Sequence, residues 1–286
     1  MKFFDLHCDT PTVMYAKKND FSDNKMHISA EGLSHFEKAY QLCAIFMAES
    51  DKKSGFNYFQ NVYDYFMPVA KKVDNLEVIL SSEGGKCIEG NLDNIDRLAE
   101  MGLRVFGLVW NGRNELATGA LVDNNEGLTP LGKEAVKKLE KLNITPDCSH
   151  LSDAGFYDLA EITEKPFIAT HSNSRSVYDH LRNLKDDQIK IIIEKKGLIG
   201  LNLFPSILGD DPSVEDLIPH AEKILSLGGI DVIAMGGDLD GISSFPKGFT
   251  GVACYENIFE MFEKEFGGEV AEKIMFKNAA RFFGVE

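Results

Sequence analysis

The sequence predicts a single (β/α)8 barrel, and three observations support this fold class. Short apolar, β-rich runs alternate with helical patterns along the chain, and eight such runs can be counted. Regular alternation indicates a parallel sheet, and eight strand–helix units close naturally into a TIM-type barrel. The length of 286 residues suits one such domain, and no low-complexity linker divides residues 1–286.

The predicted strands are near-continuous hydrophobic segments, as expected for strands that are buried on both faces of a parallel sheet. They lie at 3–7, 40–47, 76–82, 104–110, 144–149, 167–171, 198–204 and 231–237. An open doubly wound sheet is the alternative, but it would require a glycine-rich phosphate loop after an early strand. Neither G-x-G-x-x-G nor G-x-x-x-x-G-K-[ST] occurs in the chain, so the barrel is favoured.

The intervening helices are predicted from hydrophobic periodicity and from residues that favour helix ends. Thr129 with Pro130, Ser152 and Ser213 are typical of helix starts, and Gly197 is expected to end a helix. The predicted helices lie at 56–73, 92–101, 133–142, 152–162, 188–196, 213–227 and 269–283.

The composition disfavours several classes of partner and location. A formal net charge of −15 argues against nucleic acid and anionic membrane surfaces, since both attract basic proteins. No apolar stretch approaches the roughly 20 residues that cross a bilayer, and the acid at Asp5 interrupts the apolar start expected of a signal peptide. The five cysteines are widely spaced and never form C-x-x-C, so we expect a reduced, cytoplasmic protein.

Imidazoles and carboxylates follow five of the predicted strands. Barrel enzymes carry their chemistry at the C-terminal ends of the strands, so these side chains are expected to converge at one mouth. Such ligands suit Zn²⁺, and the set exceeds the needs of one tetrahedral ion, which indicates two ions that share a carboxylate. The residues are His7, Asp9, Glu83, His150, His171, Asp238 and Asp240.

The remaining polar candidates receive more modest interpretations. Asp5 lies on the same side of its strand as His7, and we expect it to orient a ligand imidazole. The other histidines follow no strand and are expected to be surface or structural residues. They are His27, His35, His180 and His220.

Seven motifs that span residues 5–283 resemble one known family. They are DLHCD at 5–9, SEGG at 82–85, SHLSD at 149–153, THS at 170–172, LRNLKDD at 181–187, GGDLDG at 236–241 and NAARFF at 278–283. In this order they resemble the membrane (renal) dipeptidase family of zinc metallopeptidases, within the amidohydrolase-like barrel group. The resemblance implies two Zn²⁺ ions per chain. It implies that His7, Asp9 and Glu83 hold one ion, and that bridging Glu83 with His150 and His171 holds the other.

The resemblance also implies roles in binding and proton transfer. Arg182 is expected to bind the terminal carboxylate of the substrate, and Asp238, favoured over Asp240, is expected to act as the proton-shuttling acid/base. One position departs from the family pattern, since Trp110 stands where the family has a substrate-binding histidine. We expect the adjacent Asn111 to donate a hydrogen bond to the tetrahedral oxyanion instead.

The predicted function is therefore that of a zinc-dependent dipeptidase that hydrolyses small dipeptides, including those with a D-configured C-terminal residue. Two alternatives stay open at this point. The first is another barrel metal hydrolase, acting on lactones, cyclic amides or N-acyl amino acids. The second is a metal-bearing binding protein without turnover, which only Trp110 supports. A homodimer is common in the family, although no feature of this sequence requires one.

Overall fold

Parallel strands form the centre of the computed structural model, which describes residues 1–50 and 55–285. Within these residues seven strands pair in the order β5-β4-β3-β2-β1-β7-β6. They are β1 (Lys2–Cys8), β2 (Lys38–Phe46), β3 (Leu76–Glu83), β4 (Val105–Gly107), β5 (Thr145–Asp147), β6 (Ile199–Leu201) and β7 (Ile233–Met235). All pairings are parallel, as the alternating pattern predicts.

The two outer strands, β5 and β6, are joined by the predicted strand at 167–171. Ile168 forms a parallel bridge with Asp147 of β5, and Ala169 forms one with Ile199 of β6. Their backbone hydrogen bonds measure 2.8–3.1 Å, so the sheet closes on itself. The fold is an α/β barrel of the TIM type, and the prediction of that class is confirmed.

The prediction of a full strand at 167–171 is wrong in extent, because only two of its residues pair with neighbouring strands. The reason lies in the polar side chains that flank it. The backbone N–H of Thr170 donates to Asp147 Oδ1 at 3.0 Å, and that of His171 donates to Ser149 Oγ at 3.2 Å. Side-chain oxygens thus replace strand acceptors at the barrel mouth, and the regular strand ends early.

Helices cover the outside of the barrel. They are α1 (Thr10–Lys17), α2 (Ala30–Leu33), α3 (Phe56–Ala70), α4 (Asp93–Glu100), α5 (Pro130–Lys141), α6 (Asp153–Ile162), α7 (Asp186–Glu194), α8 (Pro205–Leu208), α9 (Leu217–Ser226), α10 (Tyr255–Phe266), α11 (Gly268–Glu272) and α12 (Asn278–Phe283). The predicted helix at 213–227 begins with a 3₁₀ turn (Val214–Asp216), and that at 269–283 contains a π-helical turn (Lys273–Lys277) between α11 and α12.

The predicted helix ends are largely confirmed, with one correction. Thr129 and Ser152 accept from backbone N–H groups three residues later, each at 3.0 Å, as N-caps do. At the end of α7, however, the left-handed residue is Lys196, at φ 57°, and not Gly197. Glycine is needed at 197 for space, because a Cβ there would lie 2.0 Å from the carbonyl oxygen of Phe167.

The strands are buried on both faces, and their C-terminal ends share one mouth of the barrel. In β1 the side chains of Phe3, Phe4, Leu6 and Cys8 are all fully buried, whichever face they occupy. Because every strand runs in the same direction, the residues that follow the strands meet at a single rim. The predicted metal ligands discussed below lie there.

Candidate metal centre

Glu83, the last residue of β3, lies at the centre of the cluster of predicted metal ligands. Its Oε1 is 2.8 Å from Nε2 of His150 and 3.6 Å from Nε2 of His171, while its Oε2 is 3.6 Å from Nε2 of His7. The next residue, Gly84, has φ 88°, and a Cβ there would lie 2.5 Å from the carbonyl oxygen of Met47. This tight turn leaves the two oxygens of Glu83 facing different imidazoles, which is the arrangement required of a bridging carboxylate.

The second half of the cluster surrounds His7. Its Nε2 lies 3.7 Å from Asp9 Oδ2 and 3.9 Å from Asp238 Oδ1. Two groups of potential ligands have their binding atoms within 4.8 Å of one another, and His7 belongs to both. One group adds Glu83 and His171, and the other adds Asp9 and Asp238. The structure therefore brings all five predicted metal ligands and Asp238 to one place.

The hydrogen bonds of His150 and His171 define which ring nitrogens face the cluster. Nδ1 of His150 donates to the side-chain oxygen of Asn111 at 2.8 Å, and Nδ1 of His171 lies 2.7 Å from Thr170 Oγ1, so the Nε2 atoms of both rings face the cluster. Burial and the charge of Arg182 lower the pKa of His150 to about 3, and burial also holds that of His171 well below its usual range. Both rings are thus neutral, yet their Nε2 atoms lie 2.9 Å apart. A divalent cation beside these two atoms would take one lone pair from each.

Two other atoms of the cluster are buried without a hydrogen-bond partner among the described residues. His7 Nε2 and Asp9 Oδ1 are buried and have no hydrogen-bond partner in the described part of the chain. Burial and the charge of Glu83 raise the pKa of Asp9 well above its ordinary value. Burial lowers the pKa of His7, but Glu83 and Asp9 outweigh it and raise that pKa well above its usual range. Buried carboxylates and imidazole lone pairs of this kind fit divalent metal ions.

Asp238 and Asp240 follow β7 and have different surroundings. Burial, with the charge of Glu83 adding to it, raises the pKa of Asp238 to about 6. Both oxygens of Asp240 are instead occupied, by the hydroxyl of Thr10 at 2.6 Å and the backbone N–H of His27 at 2.8 Å. Asp240 therefore links the segment after β7 to the start of α1 and to the backbone of His27, and Asp238 is the carboxylate of this pair that faces the metal ligands.

Strained backbone marks the same rim. His150, Asp238 and Asp240 have φ values of 70°, 60° and 62°, in the left-handed region that residues other than glycine seldom adopt. Such conformations persist where surrounding contacts impose them, and they cluster at functional sites. Here they turn the side chains of His150 and Asp238 towards the cluster.

The expectation for Asp5 is wrong in one respect, because it holds backbone and not a ligand ring. Its Oδ1 accepts from the backbone N–H of His7 at 2.8 Å, where the pairing of β1 with β2 shifts register. Its Oδ2 accepts from the N–H of Gly237 at 2.8 Å and from the hydroxyl of Tyr255. Asp5 thus fixes the ends of β1 and β7, and so the backbone positions of His7 and Asp238.

A cavity of about 560 Å³ opens onto the cluster, and Arg182 lines it. Arg182 is only 8% exposed, yet its guanidinium has no hydrogen-bond or ion-pair partner among residues 1–50 and 55–285. Its backbone N–H donates to Nδ1 of His180 at 3.1 Å, which leaves Nε2–H as the donor of that neutral ring, without a partner in the described part of the chain. His180 also lines the cavity, so its expected role as a mere surface or structural residue is incomplete.

The loop that carries Arg182 is fixed by an ion pair behind the cavity. Arg175 makes two hydrogen bonds to the carboxylate of Asp153, at 2.9 and 3.0 Å, and Lys185 contacts the same group at 2.8 Å. Burial raises the pKa of Asp153, but Arg175 and Lys185 outweigh it and the pKa is lowered. This paired arginine contrasts with the unpaired guanidinium of Arg182.

Trp110 and Asn111 also line this cavity. The backbone N–H of Trp110 donates to Glu49 at 2.7 Å, and its ring packs edge-on against Phe46 at 4.9 Å between centroids. The side-chain oxygen of Asn111 is used by His150, so Asn111 contacts a predicted metal ligand as well as the cavity. Its side-chain amide nitrogen has no partner within the described residues and lines the same space.

One protein family matches this chain over nearly its whole length. The family model for membrane dipeptidase (peptidase family M19) matches residues 1–285. The chain belongs to this family. Among curated relatives, a dipeptidase (tcpJ) of Claviceps purpurea is 26% identical over 282 residues, covering 92% of this chain and 62% of that one. An uncharacterised dipeptidase of Schizosaccharomyces pombe is 28% identical over 192 residues, covering 65% and 47%.

A further relative is an uncharacterised protein from the PQQ-III 3' region of Acinetobacter calcoaceticus, 32% identical over 162 residues that cover 52% of this chain and 51% of that one. This chain thus spans from about half to about three fifths of the length of these three relatives.

Solved structures support the fold over the whole chain. A metallo peptidase from Rhodobacter sphaeroides, liganded with a phosphinate mimic of the dipeptide L-Ala-D-Ala, has a TM-score of 0.89 at 22% identity, with 99% of both chains covered. A metallo peptidase named dipeptidase AC has a TM-score of 0.87, also at 22% identity, with 98% and 96% covered. No helix among the described residues is long and apolar enough to cross a membrane.

Proposed function

We propose that this protein is a dipeptidase that uses two zinc ions held at one barrel mouth. The observation that carries the proposal is the position of Glu83 between His7 on one side and His150 and His171 on the other. Membership of the membrane dipeptidase family supports it. A structural relative that binds a mimic of L-Ala-D-Ala supports the same class of substrate.

His7, Asp9 and Glu83 would hold one zinc ion, and Glu83, His150 and His171 would hold the other. This assignment gives the unpartnered atoms of His7 and Asp9 a ligand role and places a cation beside the facing Nε2 atoms. When bound, such ions lower the pKa of water and polarise a carbonyl oxygen.

Arg182 would select a substrate with a free C-terminal carboxylate. Its buried guanidinium has no acceptor among the described residues, and burying such a charge is costly unless a partner is provided. A carboxylate supplies that partner through two parallel hydrogen bonds. Because Arg182 lines the same cavity as Glu83 and Asp238, a carboxylate bound there would lie one residue from the bond to be cleaved.

Asp238 would move the proton that hydrolysis requires. A pKa of about 6 allows it to take a proton from the attacking water and then to protonate the leaving amine near neutral pH. Asn111 would donate from its free amide nitrogen to the oxygen of the carbonyl under attack, in place of the histidine replaced by Trp110. These residues would bind, orient and protonate a substrate within one cavity.

The test is a substrate panel on the purified protein loaded with zinc. Free dipeptides, including L-Ala-D-Ala, should be hydrolysed faster than N-acyl amino acids, cyclic amides and lactones. Preferential turnover of one of those other classes would identify a different barrel hydrolase. Stable zinc binding with no turnover of any substrate would identify a binding protein.

A further inference from the structure

We propose that Asp147 and Thr170 form a hydrogen-bond relay that fixes the tautomer and orientation of His171. Both are positioning residues, because they act on the metal-facing nitrogen only through the His171 ring. The inference rests on the proposed function, since it takes His171 to be a metal ligand. Neither residue stands out in the sequence as a ligand or an acid/base.

The relay begins at the carboxylate of Asp147, the last residue of β5, which is 3% exposed. Its Oδ1 accepts from the backbone N–H of Ser149 at 2.8 Å and from that of Thr170 at 3.0 Å. Its Oδ2 lies 2.5 Å from Thr170 Oγ1. An ionised carboxylate can only accept, so the hydroxyl proton of Thr170 is donated to Asp147 Oδ2.

The direction of the next hydrogen bond follows from this one. A hydroxyl has a single proton, so Thr170 Oγ1 can only accept from Nδ1 of His171, which is 2.7 Å away. The proton of the neutral ring is therefore on Nδ1, and Nε2 presents a lone pair to Glu83 Oε1 and His150 Nε2. A metal ligand requires this tautomer.

Two further groups approach the same hydroxyl at longer range. Ser149 Oγ is 3.3 Å from Thr170 Oγ1, and Nδ1 of His7 is 3.5 Å from it. Neither competes with the two short contacts, at 2.5 and 2.7 Å. Thr170 and His171 are both fully buried, so no bulk water can replace the hydroxyl if it is removed.

The relay also explains why the barrel closes through only two bridging residues. The side chain of Asp147 accepts the backbone N–H of Thr170, which a regular strand would give to a neighbouring backbone carbonyl. This contact draws the Thr170 hydroxyl next to the carboxylate and the imidazole at once. Regular backbone pairing is absent at this position, and side-chain hydrogen bonds link β5 to the predicted metal ligand His171 in its place.

A purely structural role is the competing explanation, in which Asp147 only satisfies backbone N–H groups and Thr170 only fills space. The variant Thr170→Val separates the two, because valine has nearly the same shape but no hydroxyl. Thr170→Ser restores the hydroxyl. Thr163→Val is the matched control, since Thr163 is also buried and its hydroxyl donates to the carbonyl of Leu159, remote from the metal ligands.

The variant Asp147→Asn tests the direction of the relay. Its side-chain oxygen can still accept from the backbone, but its amide would donate to Thr170, whose hydroxyl would then donate to Nδ1 of His171. The proton of the ring would move to Nε2, where the metal is expected. An Asp→Asn change behind a functional imidazole can preserve geometry and still select the wrong tautomer.

Two measurements test the proposal. Nitrogen NMR of the imidazoles in the chelator-treated protein should show His171 as the Nδ1–H tautomer in the wild type and in Thr170→Ser, and a loss of that state in Thr170→Val and Asp147→Asn. Competition with a chromophoric chelator should show that these last two variants bind one zinc ion about 10- to 100-fold more weakly, as losses of such outer contacts typically do. Thr163→Val should match the wild type in both.

An unchanged tautomer and unchanged zinc affinity in Thr170→Val would overturn the relay, as would an Nε2–H tautomer in the wild type. Failure of Thr170→Ser to recover affinity would also contradict it. Zinc binding that follows the predicted order, without turnover of dipeptides, would support the relay and contradict the proposed function alone. A wild type that binds no zinc would overturn both.

Discussion

Removal of the Arg182 side chain should reduce activity on free dipeptides without affecting the metal. The guanidinium is nearly buried and has no acceptor in the described part of the chain, so a substrate carboxylate would be its main partner. Losing one partner of a buried, charge-assisted pair typically costs about 2–5 kcal/mol. Because the cavity admits water, we expect Arg182→Ala to lower kcat/KM by about 2–4 kcal/mol, or roughly 30- to 1000-fold. Arg182→Lys should recover only part of this loss, since an ammonium lacks the planar fork.

The assay compares a free dipeptide with the same dipeptide amidated at its C-terminus. The wild type should cleave the amide poorly, and Arg182→Ala should show little further loss on it. Arg113→Ala is the control, because Arg113 lies beyond β4, is half exposed and pairs with Glu126. Zinc content should be unchanged in every variant. Equal cleavage of the free acid and the amide by the wild type would refute a carboxylate-binding role for Arg182.

Three other changes test separate parts of the site and fold. Glu83→Gln should lose at least one zinc ion and nearly all turnover, because a neutral amide bridges two cations poorly; a fully loaded, active variant in metal analysis would contradict the bridge. Asp238→Asn should keep its metals while kcat falls by about 100-fold or more. Asp240→Asn should lower Tm and reduce kcat less than Asp238→Asn does; a larger loss of kcat in Asp240→Asn would exchange the two roles. Arg175 helps to lower the pKa of Asp153 in the folded protein. The ionised carboxylate therefore stabilises the fold fully above the pKa of an unfolded aspartate, about 3.9. This stabilisation is lost as the pH falls through the lower pKa of the folded state. Asp153→Asn should therefore unfold about 1–3 kcal/mol more easily in urea at pH 7, with a smaller difference near pH 3; an equal difference at both would contradict the pair.

The barrel could be predicted from the sequence because its strands are apolar throughout and alternate with helices. Local patterns did not reveal how the 167–171 segment ends. Thr170 and His171 look like a strand end in sequence, but their backbone N–H groups bond to side chains of Asp147 and Ser149. That exchange depends on two strands meeting in space, which spacing along the chain does not encode.

The convergence of the site residues was predictable for a similar reason. Strand ends in a parallel barrel share one rim, so His7, Glu83 and His171 had to lie near one another. The contacts around them were not predictable. Asp5 was expected to hold an imidazole and holds backbone, because the register shift in β1 brings the N–H of His7 onto its carboxylate. His180 follows no strand, and its place in the cavity depends on the loop it shares with Arg182.

The most direct test of the central claim is a zinc titration of the chelator-treated protein, with dipeptide hydrolysis followed at each step. Glu83 facing imidazoles on both sides predicts that the protein binds two zinc ions per chain. Turnover of a free dipeptide should be absent after chelation and should reach its maximum only as the second ion binds. Full hydrolysis by the protein without metal, or saturation of activity and binding at a single ion, would contradict a shared two-metal centre.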